Sequence, residues 1–395
     1  MKIFHVIESI DDKYGGPAVS VPSLVFQLNQ KGADNEIVST KVYHSESNTL
    51  IDKYKLNWSC FSIKDSFFSK KFRYSPDLSK YLKKQVVSDA ENIILHTHNF
   101  WNYPIYVVYK IMMRGNIPVV MSLRGNLNSI FYHKILAWVF FQKKMMNNAA
   151  AIHVTNKSDK KRLRDIGVVT RVAYIPNGIV LSEFRNLKSS MEARRIIRVD
   201  INKKYLLFMS RLHVDKGLDL LVNEWSKLAA KHPNWDLLVA GPIYSEKHVK
   251  SITQQLAKNK LSGRVKFLGM VHGETKLDVL AAADVLVLPS KRENFGIVIA
   301  EALACGLPVI TTNTTPWEEL RIYNAGWWID RESTALANSL DEAMSLTNST
   351  LVDMGARGKK LIKKYDISEQ AKKILELYSW CLSNKSKVPS TGNKL

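Results

Sequence analysis

Glu293 and Glu301 stand eight residues apart on either side of the start of an apolar helix, and that setting selects a chemistry. Residues 285–289 form an apolar run of strand type and a polar loop follows. Gly296 then opens a helix over 297–305, which Gly306 and Pro308 end. A helix so apolar on all sides is expected to be buried. Yet Glu301 lies in its middle, and a buried carboxylate without a partner costs several kcal/mol. Something polar must meet it. Between the two carboxylates lies the helix mouth, where unpaired N–H groups and the positive end of the dipole favour an anion. Hydroxyls, then phosphate, then hydroxyls is the outline of a sugar nucleotide. A lone glutamate in a helix is ordinarily structural. The strand–loop–helix setting shifts the balance toward a ligand.

Further groups of the same kind follow other strands. Gly15 and Gly16 come after the first strand, where glycines let backbone N–H groups approach a phosphate, although a bare Gly-Gly is as often a plain turn. Arg211 and Lys216 follow the first strand of the second half and suit a diphosphate. His96 and His98 alternate on a strand, so both imidazoles share a face and a metal pair is conceivable. No third ligand with supporting spacing occurs, so no metal is expected. His98 is placed just past the strand end, free to meet a sugar or an acceptor or simply to pack. There is no Asp-x-Asp, G-x-G-x-x-G, phosphate-binding G-x4-G-K-[ST], H-E-x-x-H or C-x-x-C.

The elements that must hold these residues alternate between strand and helix, which predicts α/β architecture with parallel sheets. Strands are expected at 2–7, 36–40, 92–96, 118–123, 150–155 and 172–176, then at 205–210, 236–240, 265–268, 284–289 and 308–312. Two doubly wound domains follow, with ligands at the carboxyl ends of their strands. The expected division is 1–185 for the first domain and 186–367 for the second. A terminal helix over 368–383 and a flexible tail over 384–395 complete the chain.

The spacing of Glu293 and Glu301 resembles the E-x7-E motif of retaining nucleotide-sugar glycosyltransferases of family 4, which have the GT-B fold. Gly15-Gly16-Pro17-Ala18, Ile175 to Ile179, Ser210 to Gly217, Ala240-Gly241-Pro242, Val265 to Gly269 and Ala283 to Pro289 come in the order such enzymes show. The resemblance implies two Rossmann-like domains facing across a cleft, with the terminal helix crossing back to the first. It assigns Arg211 and Lys216 to the donor diphosphate, and Gly16 to the donor phosphate or the acceptor. Glu293, Asn294, Phe295, Gly296 and Ile297 fall to the donor sugar, and Glu301 to the ribose hydroxyls. Many members carry a histidine directly after the strand over 118–123, where this chain has Arg124. Arg124 is then a candidate for an acceptor phosphate or the leaving diphosphate. The implied activity is metal-independent hexosyl transfer to a glycan hydroxyl in bacterial surface polysaccharide assembly, such as lipopolysaccharide or O-antigen. A GT-B epimerase or phosphorylase is the alternative enzyme.

Composition bounds the partners. The chain has 395 residues, long for one core, and 46% of them are hydrophobic. Its three cysteines are scattered and odd in number, which fits a reduced, cytoplasmic setting. The first ten residues hold a strand too brief for a signal sequence, and no stretch is apolar enough to span a bilayer. A net charge of +21 calls for a polyanionic partner. The excess runs through both halves and no nucleic-acid module is present, so an anionic membrane surface is favoured over nucleic acid. Segments 67–74 and 131–146 mix aromatic and basic residues, as a peripheral contact at the inner face of the plasma membrane requires. The acceptor is accordingly expected to be lipid-linked.

Overall fold

The computed structural model of the chain describes residues 1–11, 15–41, 48–88, 92–99, 102–115, 117–124 and 142–384. The chain forms two compact units: Met1–Gly178 together with the segment from Ile367, and Ile179–Asp366. In the first unit, β1 (Lys2–Ile7), β2 (Asp34–Lys41), β3 (Trp58–Ser62), β4 (Ile93–His98), β5 (Val119–Ser122), β6 (Ala151–Val154) and β7 (Val172–Tyr174) form one parallel sheet. Its order is β3-β2-β1-β4-β5-β6-β7. In the second unit, β8 (Lys204–Met209), β9 (Trp235–Ala240), β10 (Val265–Gly269), β11 (Val285–Leu288), β12 (Val309–Thr312) and β13 (Gly326–Ile329) are ordered β10-β9-β8-β11-β12-β13. The central strands are buried along nearly their whole length, which is why their sequences are continuous apolar runs. Strand order reverses between β1 and β4 and between β8 and β11, so the loops leaving those strands flank the two switch points.

Two strands lie outside the expected set, and both are edges. β3 is only half buried, and β13 is a four-residue Gly-Trp-Trp-Ile segment. Neither offers a long apolar run. The expected boundary after Arg185 also falls inside the second unit, because Phe184 of the 3-10 turn Leu181–Phe184 is buried in that unit's core. The terminal helix Ile367–Ser383 belongs to the first unit. Its Ala371, Ile374, Leu377, Tyr378 and Cys381 pack with Ile3, Leu28, Ile94 and Val120. Residues 385–395 of the expected tail, and 131–141 of the expected basic-aromatic segment, lie outside the described residues.

The helix that carries Glu301, Ile297–Cys305, is seated by a close helix contact. Helix Asn348–Ile362 presents Gly355 to it, and a Cβ there would stand 1.9 Å from the Gly306 carbonyl oxygen. Backbone cannot yield as a flexible side chain can. Gly355→Ala is therefore expected to destabilise the second unit by roughly 1–3 kcal/mol, read as a lower denaturation midpoint with unchanged slope. A midpoint equal to wild type would show that the contact is looser than described.

Candidate functional site

In the second unit, the loop after β8 carries Arg211 and Lys216 and the loop after β11 carries Glu293. Because β8 and β11 are neighbours, the two loops meet: Lys216 Nζ donates to Glu293 Oε1 at 2.5 Å, and Ser290 Oγ donates to the same oxygen at 3.2 Å. The Arg211 guanidinium lies 5.4 Å from the centre of the Tyr244 ring. Gly296 caps the following helix with φ 78°, a left-handed conformation natural to glycine, and no side chain caps that end. Ile299 and Ala300 donate their N–H groups to the Gly296 carbonyl. The amides of Ile297 and Val298 thus precede the first helical bond, at a helix end with no acidic residue in its first turn. This is an anion-accepting mouth beside a carboxylate.

Glu301 is 7% exposed, and the partner that its burial demanded is Lys276, whose Nζ donates to Oε1 at 2.6 Å. The polar group that the sequence required is thus supplied within the chain itself. Burial by itself would lower the pKa of Lys276, but the charge of Glu301 and the hydrogen bond raise it above the ordinary lysine value. Oε2 of Glu301 has no hydrogen bond among the described residues, so one oxygen remains for a ligand. Lys276 was missed in the sequence. Its signal is a lysine in the opening turns of helix Gly273–Ala282, set against the dipole.

Phe295 is 4% exposed, and its ring packs with Trp317 and Tyr365, while Trp317 Nε1 donates to the Phe295 carbonyl. With its ring buried and its carbonyl engaged, only its backbone N–H is left to offer a ligand. Asn294 and Ile297 are half buried beside it.

The first unit holds a different arrangement, a buried array of four histidines on β1, β4 and β6. Arginine can only donate hydrogen bonds, and that fixes every tautomer in the first chain. Arg124 Nε and Nη2 donate to His98 Nδ1 at 3.2 and 3.0 Å. His98 Nε2–H must then donate to His5 Nδ1 at 2.9 Å, and His5 Nε2–H to Asn35 Oδ1 at 3.0 Å. A second chain is fixed from its other end, because a carbonyl only accepts. His153 Nε2–H donates to the Ile175 carbonyl at 2.7 Å, Ser122 Oγ–H to His153 Nδ1 at 2.5 Å, His96 Nε2–H to Ser122 Oγ at 2.7 Å, and Tyr378 O–H to His96 Nδ1 at 2.5 Å. All four imidazoles are neutral in this pattern. Their pKa values are lowered chiefly by burial, to about 4 for His5 and for His153, and well below the ordinary value for His96 and His98.

These placements revise the sequence reading of the histidines. His98 is the last residue of β4, fully buried with both ring nitrogens engaged, rather than a free group past the strand end. The third imidazole that the sequence lacked is His5, on the neighbouring strand, and the ligand atoms of His5, His96 and His98 lie within 4.8 Å of one another. Their lone pairs accept from His98, Tyr378 and Arg124 respectively, so a metal ion would have to displace all three bonds. Gly16 begins helix Gly16–Gln30, with Gly15 as a cap at φ 74° and no side-chain cap. Ser20 of this helix accepts from Arg124 Nη1 at 2.6 Å. The structure thus groups Glu293 with Lys216 and Glu301 with Lys276 in one unit, and Arg124 with His98 and Ser20 in the other.

Comparison with known proteins gives the family context. Residues 189–377 match the family model described as Glycosyl transferases group 1, and residues 14–183 match Glycosyltransferase Family 4. An uncharacterised glycosyltransferase of Methanocaldococcus jannaschii is 32% identical over 53% of this chain and 51% of its own length. The phosphatidylinositol N-acetylglucosaminyltransferase GPI3 subunit of Saccharomyces cerevisiae is 26% identical over 65% and 56%. The chain therefore spans about half the length of these curated relatives. GDP-mannose:cellobiosyl-diphosphopolyprenol alpha-mannosyltransferase of Xanthomonas campestris is 21% identical over 88% of both chains. Among solved structures, sucrose-phosphate synthase of Thermosynechococcus elongatus superposes with a TM-score of 0.80 at 19% identity, covering 97% of this chain and 100% of that one. Anabaena HepE, solved in complex with UDP and glucose, gives 0.78 at 19%, covering 96% and 99%. Two parallel sheets of this topology, with such neighbours, are the GT-B fold.

Proposed function

The chain belongs to the family 4 glycosyltransferases, and from that membership we propose that it transfers a hexose-type sugar from a nucleoside diphosphate sugar to a glycan hydroxyl with retention of configuration. The observation that carries the reading is the uncapped helix mouth at Gly296 with a lysine-paired carboxylate on each side of it. In the step proposed, the bond from the sugar's C1 to the diphosphate oxygen breaks and the acceptor oxygen bonds C1 on the same face. The acceptor's proton passes to the departing phosphate. Charge grows on the diphosphate, so the preorganised donors Arg211, Lys216 and the amides at Gly296 and Ile297 supply the main stabilisation. Glu293 and the backbone of Asn294 and Phe295 orient the sugar hydroxyls, Oε2 of Glu301 accepts from the ribose, and Gly16 offers its amide to a phosphate. His98 acts by holding Arg124.

A lipid-linked acceptor is supported by the polyprenol named for the Xanthomonas relative, and a surface-polysaccharide role by the lipopolysaccharide core mannosyltransferase LpsB of Rhizobium meliloti, 26% identical over 52% of this chain and 61% of its own length. Among the described residues no helix is long and apolar enough to cross a membrane. A peripheral contact is supported by helix Phe67–Phe72, where Phe67 and Phe72 are 77% and 51% exposed beside exposed Lys70 and Lys71. Arg73 does not join that face, because it is buried at 8% exposure. Lys70→Glu with Lys71→Glu is expected to weaken pelleting with phosphatidylglycerol vesicles by at least about tenfold, at roughly 1 kcal/mol for each cation lost. Pelleting equal to wild type would place the contact elsewhere.

The central test is a panel of UDP- and GDP-sugars incubated in excess EDTA, with released nucleoside diphosphate measured and the product anomer read by NMR. The expected outcome is turnover with one donor, unaffected by EDTA and with the donor's anomeric configuration kept. Turnover that vanishes on chelation and returns with Mg²⁺ would overturn the metal-free clamp, and an inverted product would overturn retention.

A further inference from the structure

Arg124 is a cation in a neutral socket. The residue is half buried, and its guanidinium meets His98, which the hydrogen-bond chain fixes as the neutral tautomer, and the hydroxyl of Ser20. No ion pair to it occurs among the described residues. Burial pushes its pKa down to about 10, the mark of a charge that lacks a counterion. Its backbone is also held at φ 47°, a conformation uncommon outside glycine, asparagine and aspartate.

The donor count is specific. Of the five N–H bonds of a guanidinium, the one on Nε and one on Nη2 are directed at His98 Nδ1, and one on Nη1 at Ser20 Oγ. Among the described residues one N–H is left on each terminal nitrogen, and two such bonds can serve two oxygens of one oxyanion. Ser20 lies in the first turns of helix Gly16–Gln30, whose glycine-capped start has no acidic residue to compete. His98 is locked by His5, and His5 by Asn35, so the fork is set before any ligand arrives.

We propose that Arg124 is the receptor for a phosphate or diphosphate group in the first unit, bound bidentately by its two remaining N–H bonds. This deepens the transferase reading, since both a donor and a lipid-linked acceptor carry diphosphate. His98 and Ser20 are positioning residues for the fork.

The test uses the full chain as wild type, Arg124→Gln, Arg124→Lys and Ser20→Ala, each shown by circular dichroism and thermal melting to be folded. Binding of inorganic pyrophosphate, farnesyl diphosphate, UDP and GDP is measured by calorimetry, with the Arg124 guanidinium ¹⁵N signals followed in parallel. Arg124→Gln is expected to lose a pyrophosphate site or weaken it roughly ten- to a hundredfold. Arg124→Lys, which keeps the charge but not the fork, should recover only a small part of that. Ser20→Ala should weaken binding by less than Arg124→Gln. Beyond pyrophosphate, a loss that extends only to farnesyl diphosphate assigns the group to the acceptor, and a loss that extends only to UDP and GDP assigns it to the donor. Unchanged affinity for all four probes in folded Arg124→Gln overturns the proposal, as does Arg124→Lys binding like wild type. If Arg124→Gln fails to fold, Arg124→Lys and Ser20→Ala decide by the same criteria. Pyrophosphate binding that depends on Arg124 in a protein that binds no nucleotide would keep this site and remove the transferase reading instead.

Discussion

Acidification from about pH 7 to about pH 4.5 is expected to unfold the first unit well before the second, because four buried neutral histidines each release about 1.4 kcal/mol of stability per pH unit at most. The sign follows from the direction of the shifts. In the unfolded chain each histidine takes up a proton below about pH 6.5. In the folded unit His5 and His153 stay neutral down to about 4, and burial holds His96 and His98 well below the ordinary histidine value. The unfolded state therefore binds more protons than the native one throughout that window. Stability is complete above the unfolded value and drains away as the pH falls through the folded values. With all four protons counted, the slope approaches roughly 5 kcal/mol per pH unit, comparable to the whole stability of an ordinary domain. Protonating any one imidazole also breaks a hydrogen-bond chain whose direction leaves no lone pair for the added proton. The measurement is hydrogen exchange resolved by peptide at neutral and mildly acid pH, beside histidine NMR titration. Strands β1, β4 and β6 should lose protection together. Titration of His5 and His153 near 6.5 with protection intact would show that the array is hydrated rather than buried.

The sequence made the second unit's local arrangement legible because loop and helix lie next to each other in the chain. Glu293, Gly296 and Glu301 fall within one strand–loop–helix segment, so their spacing reports their geometry directly. The need for a polar partner at Glu301 was equally legible, but not which partner. Lys276 lies on a different helix, brought near by packing, and a single lysine in a basic chain attracts no notice. The first unit shows the same limit more strongly. His96 and His98 advertise themselves by alternation on β4, whereas His5 becomes their neighbour only through the parallel register that sets His5 opposite His96. Tyr378 reaches His96 across 282 positions of sequence, from a helix that joins this unit only at the end of the chain. Hydrogen-bond direction belongs to that assembled set, and only there is Arg124, a candidate from its place after a strand, seen to donate to both His98 and Ser20. The edge strands β3 and β13 were missed for a local reason: partly exposed strands need no continuous apolar run.

Removing Lys276 alone is expected to be worse for folding than removing Lys276 and Glu301 together. Lys276→Met leaves the Glu301 carboxylate inside the core without its cation, a situation that costs about 3–5 kcal/mol when a buried pair is broken from one side. The double variant Lys276→Met with Glu301→Leu removes both charges and fills the space with apolar atoms. By the same principle it should fall close to wild type in stability. Nucleotide binding should rank the variants differently. If Oε2 of Glu301 accepts from ribose, the double variant should bind UDP and GDP roughly ten- to a hundredfold more weakly despite its sound fold. Lys276→Met, unstable but still carrying the carboxylate, should regain stability on adding nucleotide, because a ligand that binds only the folded state stabilises it by mass action. Denaturant unfolding of wild type, Lys276→Met, Glu301→Leu and the double variant, with and without UDP or GDP, forms a double-mutant cycle in which the pair's worth and the ribose contact are read separately. A double variant that binds nucleotide like wild type would remove Glu301 from the ribose. A stable Lys276→Met protein would mean that solvent, not lysine, balances the carboxylate.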